Sequence, residues 1–229
     1  MTAIPFQREI VYPESDGQPM AESDLHRKEM TYLVEALTEH FRPAVDVYVA
    51  GNLFLYFKKG DPRAVVAPDL FVVKGVAKRD RKVYKLWEEH RSPCLVVEVT
   101  SDTTRDEDLS DKRTVYEQLG VEEYFLFDPL GDYLDPRLQG HRLVNGRYRP
   151  APLEADGSLV SRTAGVTFRV EEEHLRLTET SSGKPLLRYE EHAARALQAE
   201  ARASDLEREN ARLRAELARP ARPTDFSFS

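Results

Sequence analysis

The sequence predicts an α/β fold: a mixed sheet flanked by helices, then a β extension, then a long C-terminal helix. Three observations carry this. Val65-Val66-Ala67-Pro68-Asp69-Leu70-Phe71-Val72-Val73 and Cys94-Leu95-Val96-Val97-Glu98-Val99-Thr100 are apolar runs of β-formers, the pattern of strands buried on both faces. Helical periodicity brackets them, which places helices against a small sheet. From about residue 188, Ala, Arg, Glu and Leu dominate, and Gly and Pro vanish until Pro220.

Residues 1–22, with Pro5, Pro13, Gly17 and Pro19, read as an extended lead-in. Ser23 or Asp24 can cap a helix over 24–41. Met30, Leu33, Val34, Leu37 and Phe41 form its apolar stripe, and Pro43 stops it. Residues 46–49 and 53–57 flank Gly51-Asn52, the pattern of a hairpin turn, and Lys59-Gly60-Asp61-Pro62 is a second turn. The Asp69 strand follows. Residues 74–92 read as irregular and basic, and the Glu98 strand comes next. Ser101-Asp102-Thr103-Thr104 is a capping-type loop. Asp106, Glu107, Asp108 and Asp111 then crowd the first turn of a second helix, where acids suit the positive end of the helix dipole. Leu109, Lys112, Val115, Tyr116 and Leu119 carry that helix to Gly120, a natural C-terminal stop. Residues 123–128 return as a strand. Within 141–177, His141 to Tyr148, Leu159-Val160 and Val166 to Val170 read as short strands of a β extension.

In the tail, Leu206, Asn210, Leu213 and Leu217 recur at four, three and four, a heptad seam with Leu206 and Leu213 at d and Asn210 and Leu217 at a. Asn at a favours a parallel dimer, because two such amides can pair. Ala196, Ala199 and Ala203 occupy earlier seam positions and bury little, so the coil is expected to be short. The division expected is a domain over 1–187, a coiled-coil helix over 188–219 and a disordered tail over 220–229.

The chain has 229 residues, 41% of them hydrophobic, enough for a real core, and a net charge of −7. A protein that coats nucleic acid non-specifically is usually basic, so that class is disfavoured, whereas an enzyme with a local basic strip is not. The single cysteine, Cys94, permits no intrachain disulfide and sits in a strand-like run, where a small buried hydrophobe is expected. The N-terminal stretch lacks the apolar core of a signal peptide, and no apolar run approaches the roughly 18 residues of a membrane helix. A soluble, cytoplasmic protein is expected. The six histidines show no zinc spacing, and neither a phosphate-cradling glycine motif nor a Gly-x-Ser-x-Gly elbow occurs.

A carboxylate inside a buried strand is costly unless something positive compensates it. Asp69 and Glu98 are two such acids, and a shared divalent cation is the simplest compensation. Mg²⁺, for which Mn²⁺ can substitute, takes hard oxygen ligands and keeps several waters. A backbone carbonyl such as that of Val99 can complete its shell. Such a site polarises a phosphodiester and positions an attacking water. Lys112, on the helix entered where the Glu98 strand ends, can add positive charge and orient that water. Tyr116 lies one turn further on the same face and can steady it. Lys74, Lys78, Arg79, Arg81, Lys82 and Lys85 form a basic loop between the two acidic strands that can track a phosphate backbone, with Tyr84 or Trp87 stacking on a base.

The run APDLFVV … SPCLVVEVTSDTTRDEDLSDKRTVYEQLGVEEYFLFDP resembles the Uma-two family of restriction endonucleases, a branch of the PD-(D/E)xK nuclease superfamily. The family's PD strand, LVVEV strand and K-x-x-x-Y helix match Pro68-Asp69, residues 93–101, and Lys112 with Tyr116. Gly120-Val121, Glu123-Tyr124-Phe125 and Asp128 continue the match, with Phe125 where Trp is usual. The resemblance is specific over about 65–130 and looser from the first helix, with His26 near its start, to about 187. It implies a restriction-endonuclease-like core and metal-dependent hydrolysis of phosphodiesters by an endonuclease, with DNA as the expected substrate and metal binding by Asp69 and Glu98. Thr100 stands where the superfamily motif has lysine, and Lys112 supplies that group from the helix. Glu29, Glu35 and Glu39 are candidates for a further acid from the first helix. The competing expectation is a non-catalytic dimeric binding or scaffold protein that keeps the nuclease fold.

Overall fold

The computed structural model describes residues 10–15, 23–100 and 107–217. The expected loop at 101–104, Asp106 and the tail at 220–229 lie outside them.

The first helix, α1 (Asp24–His40), opens on Ser23, whose hydroxyl accepts the His26 N–H at 3.1 Å and so satisfies one exposed donor of the first turn. Leu33 and Leu37 are fully buried, and the helix stops at Phe41. The chain then builds a six-stranded sheet from β1 (Val47–Ala50), β4 (Leu70–Lys74), β6 (Leu95–Val99), β7 (Glu123–Phe127), β8 (Leu138–Val144) and β9 (Arg147–Pro150), in that spatial order. β6 and β7 are parallel and the other neighbours antiparallel, so the sheet is mixed. The crossover between the parallel pair ends in a π-helical turn, Glu107–Lys112, that runs into α3 (Arg113–Leu119). Gly120 closes α3 at φ 76°, a left-handed conformation that glycine adopts without a Cβ penalty. Every residue of β6 and β7 is buried, as is β4 from Leu70 to Val73, which explains their unbroken apolar runs.

Two small sheets flank this one. β2 (Leu55–Tyr56) lies between β3 (Val65–Val66) and β5 (Tyr84–Lys85), and a one-turn helix, α2 (Leu86–Glu89), follows β5. β10 (Leu159–Ser161), β11 (Val166–Glu171) and β12 (His174–Glu179) form the other. Phe168, Leu175 and Leu177 of this sheet join Leu33 and Leu37 of α1 in one apolar cluster with β4, β6 and β7, so the sheet and α1 cover the same face.

Several expectations change. The segment at Gly51-Asn52 is not a hairpin: β1 pairs with β4 and β2 leaves for the small sheet. The apolar run 65–73 is two strands in two sheets, because Ala67-Pro68-Asp69 carries the chain between them, and proline cannot donate to a ladder. Residues 74–92 are not wholly irregular, since they hold β5 and α2. The β extension divides: β8 and β9 widen the main sheet, and only β10–β12 stand apart. Leu186 ends one compact unit and Leu187 opens the second, which carries the 29-residue helix α4 (Tyr189–Leu217). No described helix is long and apolar enough to cross a membrane.

Candidate active site

β4 and β6 run antiparallel with Leu70 opposite Val97. One step further, the same register sets Asp69 against Glu98 at one end of the pair. Glu98 is 0% exposed. Its Oε2 accepts the backbone N–H of Asp69 at 3.2 Å and pairs with Lys112 Nζ at 3.2 Å. Its Oε1 accepts the Tyr116 hydroxyl at 2.7 Å, and Tyr116 is itself fully buried. The Asp69 carboxylate reaches back, with Oδ2 accepting the Val99 N–H at 2.8 Å and Oδ1 lying 3.3 Å from His26 Nε2. The four side chains singled out from sequence thus converge, and they do so through a reciprocal clasp between two strand ends.

Helical geometry explains the reach of Lys112 and Tyr116. Spaced by four residues, they lie on one face of the helix entered after β6, and that face looks at Glu98. Most of the lysine stem is covered, and only 15% of its side chain meets solvent. An ion pair with one partner fully buried keeps most of its Coulomb strength, but it must offset the desolvation of both charges. Here the Tyr116 hydroxyl and the Asp69 N–H add hydrogen bonds to Glu98. Thr100 turns its hydroxyl to the Phe127 carbonyl at 3.3 Å, so the ammonium beside Glu98 comes from the helix.

His26 is the residue that the chemistry of the acids did not single out. It is 2% exposed and comes from the first turn of α1. A readable signal existed: His26, Glu29, Leu33 and Leu37 continue one buried stripe at helical spacing, so polar residues occupy core positions. Of the first-helix acids, Glu29 is buried but accepts the Leu175 N–H at 2.9 Å and pairs with His174 Nδ1 at 2.6 Å, bonds that tie α1 to β12. Glu35 and Glu39 are exposed.

Several cations of the basic loop are paired within the protein. Arg81 stacks 4.3 Å from the Tyr48 ring and, with Arg79, is held by Glu89. Lys78 donates to the Phe41 carbonyl at 2.9 Å, and Lys82 and Lys85 pair with Glu14 and Glu88. Tyr84 is fully buried, and Trp87 packs on Tyr12. Cys94 is buried, which pushes its thiol up to about 11 and keeps it protonated at neutral pH.

A second buried strand acid gives a useful contrast. Glu123, at the other end of β7, is 2% exposed. Burial works to raise its pKa, yet the hydroxyls of Ser161 and Thr163 and the N–H groups of Arg162 and Thr163 hold it below the ordinary carboxylate value. Arg142 adds an ion pair at 3.2 Å. Glu123 is therefore satisfied within the protein, far more fully than Asp69, whose side chain is 13% exposed. Beside Lys112 opens a groove of about 610 Å³ that includes Ala67, Asp111 and Lys112 in its lining. Among the described residues no group of three or more His, Cys, Asp or Glu side chains is placed to hold an ion.

No curated protein matches the chain. Among solved structures, a nuclease described as belonging to DUF820, from Anabaena variabilis, superimposes with a TM-score of 0.46 at 15% identity, over 64% of this chain and 76% of that one. The family profile described as "Putative restriction endonuclease" matches residues 2–177, a span that contains His26, Asp69, Glu98, Lys112 and Tyr116, and the chain belongs to this family, Uma2.

Proposed function

We propose that the protein is a metal-dependent endonuclease that hydrolyses phosphodiester bonds, with DNA as its substrate. The observation that carries this is the meeting of Lys112 Nζ and the Asp69 backbone on one oxygen of the buried Glu98. It brings two acids and an ammonium to one strand end beside an open groove. The donor set suits Mg²⁺ or Mn²⁺, since Asp69 and Glu98 offer hard oxygens, and Mg²⁺ needs only one or two carboxylates because it retains water. Asp69, Glu98 and the Val99 carbonyl would hold the ion, which supplies Lewis-acid polarisation of the phosphodiester. Lys112 then neutralises charge that builds on the phosphoryl oxygens and orients the attacking water. Tyr116 fixes the Glu98 carboxylate, and His26 fixes that of Asp69.

We read 1–187 as the catalytic domain and 188–219 as a dimerising coiled coil that presents two sites to two strands. The support is the seam on α4, where Leu206 is 64%, Leu213 45% and Leu217 86% exposed in the single chain.

The test incubates purified protein with plasmid and with oligonucleotides in Mg²⁺, in Mn²⁺ and in chelator. Cleavage in either metal, lost in chelator and in Glu98→Gln, is the expected result. Full Mg²⁺-dependent cleavage by a folded Glu98→Gln protein removes Glu98 from the site and this reading with it.

A further inference from the structure

The groove beside Lys112 is lined for something other than a phosphate backbone. Phe54, Phe57, Pro62, Val66 of β3 and Val115 of α3 all line it. Tyr56, 1% exposed, forms the floor. Phe54 and Phe57 are only half-buried, so ring surface remains open. Within the lining, the Tyr56 hydroxyl donates to the Pro13 carbonyl at 2.7 Å. Among the described lining residues the charged groups are Lys112, Asp111 and the exposed Arg63, which pairs with Asp61 at 3.5 Å.

Charge decides between two kinds of nucleic acid. An intact duplex hides its bases and offers phosphates, so it is gripped by a row of free cations. This chain carries −7, and four cations of the loop that could have supplied such a row, Arg79, Arg81, Lys82 and Lys85, are paired with Glu89, Glu14 and Glu88. An unstacked base instead offers a planar apolar face, which aromatic and aliphatic walls receive whatever the sequence. A base seated against Phe57 would lie in the groove that Lys112 also lines.

We propose that this groove receives an unstacked nucleobase, so that the protein acts on nucleic acid with unpaired bases in preference to an intact duplex. For cleavage the proposal rests on the endonuclease reading; for binding it does not. The experiment therefore measures binding first. The full-length protein in chelator is titrated into labelled oligothymidylate, an abasic oligonucleotide of the same length and a blunt duplex, with fluorescence anisotropy as readout. The base-bearing single strand should bind about tenfold more tightly than either of the others. Phe57→Ala should erase most of that preference with an unchanged circular dichroism spectrum. Equal affinity for abasic and base-bearing strands, tighter binding of duplex, or no binding at all overturns the proposal. The first comparison uses the wild-type chain, so a misfolded variant does not blunt it. Base-dependent binding without cleavage in Mg²⁺ would overturn the hydrolase reading alone, whereas cleavage without base-dependent binding would overturn this one alone.

Discussion

Glu98 is the residue on which the site's electrostatics turn. Its side chain is wholly buried, and three donors from two elements close on it. Removing the lysine leaves a buried carboxylate without its cation, a change that costs about 3–5 kcal/mol in comparable pairs. Lys112→Met should therefore lower the melting temperature and reduce cleavage by about 10²–10³-fold, the usual effect of losing one donor to a charged transition state. Thermal melts and single-turnover rates on the same preparation check both. Tyr116→Phe removes one hydrogen bond to a charged acceptor, so a loss of about 1.5–3 kcal/mol is expected in denaturant titrations. Glu123 provides the pH test. Its folded pKa is depressed, so its contribution to stability is present above the unfolded value of about 4.3 and is lost as pH falls through the lower folded value. Melting curves on the acid side should fall more steeply for the wild type than for Glu123→Gln, and parallel curves would contradict the assignment.

At the scale of elements, the site depends on how closely β1, α1 and β4 meet. Gly51 follows β1, and a Cβ there would lie 2.4 Å from the Asp69 carbonyl oxygen and 2.5 Å from a Val34 methyl. Backbone on one side leaves little room for relief, so Gly51→Ala must push the Pro68-Asp69 turn or α1 outward. A cost of about 1–3 kcal/mol is expected. It should register as a fall in melting temperature of about 2–4 °C per kcal/mol. It should also bring a loss of cleavage larger than stability alone explains, because Asp69 moves. α1 is docked on its other side by polar contacts: the Tyr32 hydroxyl donates to the Leu186 carbonyl and accepts the Leu177 N–H, both at 2.9 Å. This docking holds His26 at Asp69.

At the scale of the molecule, α4 stands as a separate unit with its apolar positions exposed. In the single chain the Asn210 amide donates to the Leu206 carbonyl at 3.0 Å, a bond it would exchange for its twin across a parallel seam. Replacing Leu206 and Leu213 together by Glu should shift the full-length protein from dimer to monomer in light scattering, with the catalytic rate per chain on short oligonucleotides unchanged. A monomeric wild type at micromolar concentration would contradict the seam.

The sequence by itself determined α1, β6, β7 and the helix that follows β6. An apolar run of β-formers such as Leu95 to Val97 reads as a buried strand, and Glu98 stands out beside it because water is absent there, whereas Asp69 sits in the turn just before β4. The spacing of Lys112 and Tyr116 likewise fixed their common helical face. What the tertiary structure alone decided was pairing. Nothing local tells β1 to pair with β4 rather than β2, because the hydrogen-bonding groups of a strand are the same whichever partner arrives, and the choice follows from how Gly51 lets the Pro68-Asp69 turn approach. The same holds for charge: Arg79, Arg81 and Lys82 read as a free basic strip until folding brings Glu89 and Glu14 to them, and His26 reads as a helix residue until α1 is laid against Asp69. Periodicity is written along the chain, whereas neutralisation and proximity exist only between segments that the chain holds apart.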